Sequence, residues 1–422
     1  MPSHYIYDIE TYPNYFSLGA IHDETGQRYY FEISDRIDHS AELLSFLEHI
    51  RGDGSLMVGF NNIGFDYPVI HYGMTGRMDC GLLKQKANSI INTDWGDRFA
   101  HIVWPSDVLI PQIELFKIHH FDNKARRTSL KAIEFAMRME SIQDLPYDPT
   151  KPLSYSQMDD VAAYMWHDVE ATQMFYSHSK DAIEFRRKLS EKYGRDCTND
   201  NDTKIGKQYF IRRLEEAGVR CFHRVNNRRT PRQTPRPDGI RVSEILQPFI
   251  SFNHPEFQRV HEWFKNHTIT NTREELATDP ISPKSVEQLM TEGVDWNEAK
   301  RLTKPQPLTA TVNGLQFVFG LGGIHGSVSS RLIEADLYTA IIDVDVTSYY
   351  PSVPISHRIY PEHLGEVFCD IYADVKNERM QYAKGTPENA VMKLALNGAY
   401  GETNNVHSPC LLYTSDAADD LA

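Results

Sequence analysis

HYIYDIE, residues His4 to Glu10, decides how the first part of the chain is read: an apolar run carrying two acids, Asp8 and Glu10. In an extended strand, side chains two apart project from one face. Two carboxylates aimed the same way repel each other unless something positive lies between them, and a divalent cation is the usual answer. Taken alone, Asp8 and Glu10 read as ordinary strand-end acids. Two further elements add weight. GFNNIGFDYPVI places Asn61 and Asp66 just past the apolar run SLMVGF, and AAYMWHDVEATQMF places Tyr164 and Asp168 at i and i+4 on one helix face. Tyr164 also reads as a packed helix aromatic.

The surrounding pattern alternates strands and helices over residues 1–185. HYIYDIE, YYFEI and SLMVGF read as strands, and AELLSFLEHIR and SLKAIEFAMRM as helices, the last behind a Thr128–Ser129 cap. This predicts an α/β domain with a mixed sheet and helices on its faces. Lys131 is expected on the surface of its helix, and His167 is expected to point off the face that carries Asp168.

A second constellation lies near the other end. YTAIIDV reads as an apolar strand delivering Asp345, followed by a turn at Tyr350-Pro351-Ser352, with Asp343 a competing carboxylate two residues earlier. KLALNGAYG, Lys393 to Gly401, reads as a helix with Lys393, Asn397 and Tyr400 on one face, capped by Thr386 with Pro387 and Glu388 in the first turn. A carboxylate able to hold magnesium, facing a helix with a cation for phosphates, suits nucleotidyl transfer. Arg379 and Lys376, on the preceding helix, are candidates for further triphosphate contacts. Gly322 and Gly323, in QFVFGLGGIHG, read as a flexible joint.

In order, DxE, NxxxFD and YxxxD resemble the three exonuclease motifs that precede the palm in family B DNA polymerases, and DxxSxYPS with KxxxNxxYG resembles motifs A and B. The resemblance covers roughly residues 1–200 and 310–409. It implies a ribonuclease-H-like 3′→5′ exonuclease domain over 1–185, a basic linker and mixed helical region over 186–310, and a partial palm and fingers over 311–409. It further implies Mg2+ or Mn2+, two ions per active site, held by Asp8, Glu10, Asp66 and Asp168 in one site and by Asp345 in the other. Tyr164 would orient the attacking water, and Asn61 would touch the 3′ end. Tyr350 would exclude a 2′-hydroxyl, while Arg379, Lys393, Asn397 and Tyr400 would line the nucleotide pocket. Gly322 and Gly323 would instead form a loop near the template. The implied partners are primer-template DNA, single-stranded DNA, deoxynucleoside triphosphates and replication accessory proteins. The departures are Tyr349 for Leu, Gly398 for Ser, Gly320 for the Tyr of a YxGG-like element, and Ala163 where a related subclass has His. The short spacing between motifs A and B resembles bacteriophage polymerases that extend an ordinary primer. No carboxylate hairpin like motif C follows Gly401, so the chain reads as truncated there. Residues 410–422 resemble a translated sequencing adapter rather than native chain, with a natural acidic terminus as the alternative. A stand-alone exonuclease and a non-catalytic nucleic-acid-binding remnant are the competing functions.

Composition is compatible with this. The chain has 422 residues, 41% hydrophobic and 24% charged, with a mean hydropathy of −0.49. No apolar run is long enough to span a bilayer, and MPSHYIYDIE lacks a signal pattern, which predicts a cytoplasmic protein, in a host cytoplasm if the source is viral. The five cysteines have no paired spacing for zinc or disulfides. A net charge of −14 disfavours nucleic acid overall, but Lys180 to Arg241 holds seventeen Lys and Arg against nine Asp and Glu, a candidate DNA-facing segment.

Overall fold

The computed structural model describes residues 2–94, 97, 99–122, 128–236, 238–270, 276–321, 323–328, 330–346, 348–405 and 407–411. The molecule is a mixed α/β protein of two compact units, Met1–Ile205 and Gly206–Ala422. Residue 185, the expected end of the first domain, falls inside a long helix of the first unit.

The first unit is built on five strands: β1 (His4–Tyr12), β2 (Tyr15–His22), β3 (Arg28–Ser34), β4 (Leu56–Gly59) and β5 (Gln112–Glu114). Their order is β3-β2-β1-β4-β5, with β1, β2 and β3 antiparallel in sequence and β4 and β5 parallel to β1. Side-chain alternation along β1 sets the two faces. Tyr5, Tyr7 and Ile9 pack with Leu43 and Leu47 of α1 (Ser40–Asp53), Val69 of α2 (Asp66–Thr75) and Leu83 of α3 (Cys80–Ile91). Ile6 lies on the other face, with Val58, Ile113, Val169 and Phe175. Asp8 and Glu10 share the parity of Ile6, so they belong to this second face.

That face is covered by three helices, α4 (Leu115–Ile118), α5 (Leu130–Met137) and α6 (Tyr155–Tyr193). α6 starts with a reciprocal capping box, Ser154 with Gln157, and ends at Gly194 in the left-handed region. α5 is capped by Ser129, as its sequence predicts. The glycine that lets α6 lie close to the sheet is Gly19, opposite Asp8 in the β1–β2 register. A Cβ there would meet Cε of Met165 at 2.5 Å, one residue past Tyr164. No helix among the described residues is long and apolar enough to cross a membrane.

In the second unit, the part of helix Asp202–Glu216 from Gly206 onward and helices Val367–Arg379 and Pro387–Gly401 share a core of Phe210, Leu214, Phe368, Tyr372, Met392 and Leu396. A second cluster, Val260, Leu276, Leu308 and Phe319, joins helix Pro255–Lys265 to the sheet of strands Thr309–Val312, Leu315–Gly320 and Gly323–Gly326.

Four expectations change here. The apolar run before Asp345 forms no strand: residues 331–346 have no ladder partner among the described residues, and Leu337 (96% exposed), Ile342 (79%) and Val344 (82%) face solvent. A strand needs a neighbour for its amides and a cover for its apolar side chains, and this segment has neither. Tyr350-Pro351-Ser352 is not a turn but part of helix Tyr349–His357, entered through Ser348 at φ 53°. The region expected as a basic linker, 186–310, contains a hairpin, Phe222–Val225 with Arg228–Pro231. Asn226 and Asn227, at φ 48° and 63°, make its turn, because Asn tolerates the left-handed conformation that a two-residue hairpin requires. Cys410 and Leu411, assigned to the non-native tail, are each 1% exposed, and Cys410 belongs to the second unit's core. Residues 412–422 lie outside the described residues.

The basic segment is largely internally neutralised. Arg187 pairs with Glu184 and Glu191, Arg195 and Lys204 with Asp200, Arg212 with Glu216, Arg213 with Glu378, and Arg229 with Glu215. Arg186 is buried, donating to the carbonyls of Asp200, Ala182 and Ile118 and to the Asp202 carboxylate.

Candidate functional site

The second face of β1 gathers the acids. Ligand oxygens of Asp8, Glu10 and Asp168 lie within 4.8 Å of one another. Asp66 joins them from the first turn of α2, where the helix N-terminus favours a carboxylate. Removal from water, followed by repulsion from Asp66, Asp168 and Glu10, holds the Asp8 carboxyl well above the usual range. Glu10 is raised in the same way by burial, Asp168 and Asp66, with Lys84 opposing. Burial pushes Asp66 up to about 7 against amide hydrogen bonds from itself and Ile9, and burial pushes Asp168 to about 6. Four acids whose charged forms are this disfavoured, even with Lys84 beside Glu10, are a donor set suited to hard divalent cations.

Tyr164 is 8% exposed and lies beside the Asp168 carboxylate; burial and that neighbouring acid raise its own ionisation. It is therefore both a packed aromatic and a member of the site.

The loop that presents Asn61 and Asp66 is held by residues that sequence reading missed. Glu114, 1% exposed at the end of β5, accepts from the Asn61 amide at 2.7 Å, the Ile63 amide at 2.9 Å and the Phe116 amide at 3.1 Å. Burial nevertheless raises Glu114 to about 8. Asn62 donates to Gln112 at 2.9 Å, and Tyr7 donates to the same oxygen at 3.0 Å. Asn61 itself is exposed, at φ 64°. Lys84, 7% exposed, donates to the Thr11 carbonyl at 2.9 Å and places a cation beside Glu10. Only its position in the fold reveals Lys84, since α3 carries no motif.

One expectation on a neighbouring residue needs correction. His167 does not point away: its Nε2 lies 3.0 Å from Glu134 Oε2, and donor atoms of Glu134, His167 and Asp168 lie within 4.8 Å of one another. α5 packs against α6, so the flank of α6 next to Asp168 faces protein rather than water. Lys131 lies at the surface as expected, paired with the exposed Asp144, and still lowers Asp168 slightly.

In the second unit, Tyr350 and Tyr400 come together with ring centroids 4.6 Å apart. Helix Pro387–Gly401 starts at Thr386, whose side chain accepts from the Asn389 amide, and leaves Lys393 and Asn397 exposed on the Tyr400 side. Lys376 donates to Ser352 Oγ at 2.8 Å, and Arg379 approaches Asn389 Oδ1 at 3.5 Å. Asp343 and Asp345 are exposed in the strandless segment. Gly323, at φ 145°, opens the last strand of a tight hairpin rather than a flexible joint, and Gly322 lies outside the described residues.

No protein-family model matches the chain, and no curated protein matches it. Among solved structures, it is similar to the family B DNA polymerase from the hyperthermophilic archaeon Pyrobaculum calidifontis, at 12% identity and a TM-score of 0.41. The match covers 97% of this chain, which spans 48% of that one.

Proposed function

We propose that the first unit is a ribonuclease-H-like 3′→5′ exonuclease acting on single-stranded DNA, joined to palm and finger elements of a family B-type DNA polymerase. The carrying observation is the convergence of Asp8, Glu10 and Asp168 within 4.8 Å, with Asp66 and Tyr164 beside them. The β3-β2-β1-β4-β5 order, with its parallel half on the β4 side, supports the ribonuclease-H-like reading.

Asp8, Glu10, Asp66 and Asp168 are oxygen donors of the kind Mg2+ or Mn2+ takes. Two such ions supply an activated water and charge stabilisation at the leaving oxygen of a phosphodiester. The chain's own residues do the positioning. Asn61, exposed at the start of the Glu114-braced loop, would contact the terminal nucleotide. Tyr164 stays protonated at neutral pH and offers its hydroxyl to orient the attacking water. Water oxygen bonds to phosphorus, the P–O3′ bond breaks, and a nucleoside 5′-monophosphate leaves behind a new 3′-hydroxyl.

In the second unit, Tyr350 against Tyr400, with Lys393 and Asn397 exposed alongside, supports a deoxynucleoside triphosphate pocket. Asp345 would be its metal ligand. One observation favours the simpler alternative, an exonuclease whose second unit only binds nucleic acid: the Asp345 segment is exposed and unpaired. Incubating the chain with labelled single-stranded DNA and Mg2+ tests the reading. Digestion that is lost with chelator and with Asp8→Ala/Glu10→Ala supports it; digestion unchanged in that variant rejects it.

A further inference from the structure

Glu134 is the most anomalous group beside this site. It is 0% exposed on α5, and its Oε1 has no hydrogen-bond partner among the described residues. Its other oxygen lies 3.0 Å from His167 Nε2, and His167 is itself 8% exposed. A buried carboxylate with one oxygen unserved is costly, and native interiors rarely keep one without an ion or water to satisfy it. The donor atoms of Glu134, His167 and Asp168 lie within 4.8 Å of one another, a spread that ligands around one small cation occupy. α5 and α6 together bring them there.

From the donor set of Glu134, His167 and Asp168 we infer a second cation position beside the carboxylate site, selective for a borderline transition ion such as Zn2+ rather than Mg2+. The selectivity follows from the ligands. Asp8, Glu10 and Asp66 offer oxygen alone, which suits Mg2+, whereas an imidazole nitrogen with two carboxylates suits Zn2+ and disfavours Mg2+. Asp168 is the shared member, since a carboxylate has an oxygen for each side. The Zn2+ would give Glu134 Oε1 the partner it lacks and would fix α5 against α6 through their side chains. The inference stands whether or not the first site hydrolyses DNA.

The test uses the full chain carrying Asp8→Ala/Glu10→Ala, so that binding at the first site is removed, and titrates Zn2+ against a chromophoric competitor in excess Mg2+. The expected result is one Zn2+ per chain that Mg2+ does not displace, with imidazole scattering in the zinc X-ray absorption spectrum. Adding Glu134→Gln, nearly isosteric and able to keep the His167 contact, should weaken that Zn2+ at least about tenfold. His167→Ala should do the same, with circular dichroism confirming that both variants fold. Zn2+ affinity unchanged by Glu134→Gln, zinc bound without imidazole, or no bound Zn2+ at all overturns the assignment. If Zn2+ binds as expected while wild-type chain leaves DNA intact, only the nuclease reading fails.

Discussion

Asp66→Asn removes one carboxylate from a buried, acid-rich site, and its effect on stability should reverse sign with the divalent cation. Burial raises the Asp66 carboxyl from its ordinary 3.8 to about 7 in the folded chain. The folded state therefore binds the proton more tightly than the unfolded state. Stability from this group is fully present below pH 4 and is lost as pH rises through about 7. At 1.36 kcal/mol for each tenfold change in proton affinity, the ionised form costs roughly 4 kcal/mol at pH 8 without divalent ions. The amide carries no charge at either pH. Asp66→Asn should thus leave the metal-free chain unchanged near pH 4 and stabilise its first unit at pH 8 by up to about 4 kcal/mol. With Mn2+ present, the order should invert, because the wild type gains a ligand-bound ion that the variant holds weakly. Hydrogen exchange of the β1 amides, measured at pH 8 with and without Mn2+, reads the first unit alone. Equal protection in both proteins under both conditions would refute the account of an unneutralised acid cluster.

Four further outcomes follow from particular contacts. Glu114→Gln turns one of its two acceptor oxygens into a donor, so the Asn61 or the Ile63 amide loses its partner, exchange there should accelerate, and the loop should lose about 1–3 kcal/mol. Gly19→Ala should cost about 1–3 kcal/mol in urea unfolding, because the Met165 thioether end can rotate away. Gly206→Ala should cost more, since its Cβ would meet the Leu394 carbonyl oxygen at 2.2 Å, which is backbone and cannot rotate. The chain should fail to extend a primer with Mg2+ and deoxynucleotides, because Asp345 sits in an exposed strandless segment; extension abolished by Asp345→Ala would show that this segment orders on DNA.

The first unit was legible because its signals are local. Asp8 and Glu10 two apart, and Tyr164 and Asp168 four apart, fix shared faces once the strand and helix are known. What stayed hidden depends on which elements meet. Glu134 and His167 come together only because α5 packs on α6, and nothing in SLKAIEFAMRM marks Glu134 as different from a solvated helix acid. Lys84 reaches Glu10 only through the packing of α3. The run YTAIIDV misled for the complementary reason. β-branched residues fit a strand, but a strand exists only when a neighbour pairs its backbone. The Asn226-Asn227 hairpin was obscured by Pro and Arg around it, although the two asparagines are a legitimate turn signal.

The central claim concerns a cut at the 3′ end, and the identity of the first product tests it most directly. Single-stranded DNA labelled on its 3′-terminal nucleotide, mixed with excess chain and Mg2+ in a single turnover, should release that label first as a nucleoside 5′-monophosphate. A 5′ label on the same strand should stay in a ladder shortening one nucleotide at a time. Label released first from the 5′ end, or internal fragments before any monophosphate, would contradict the account.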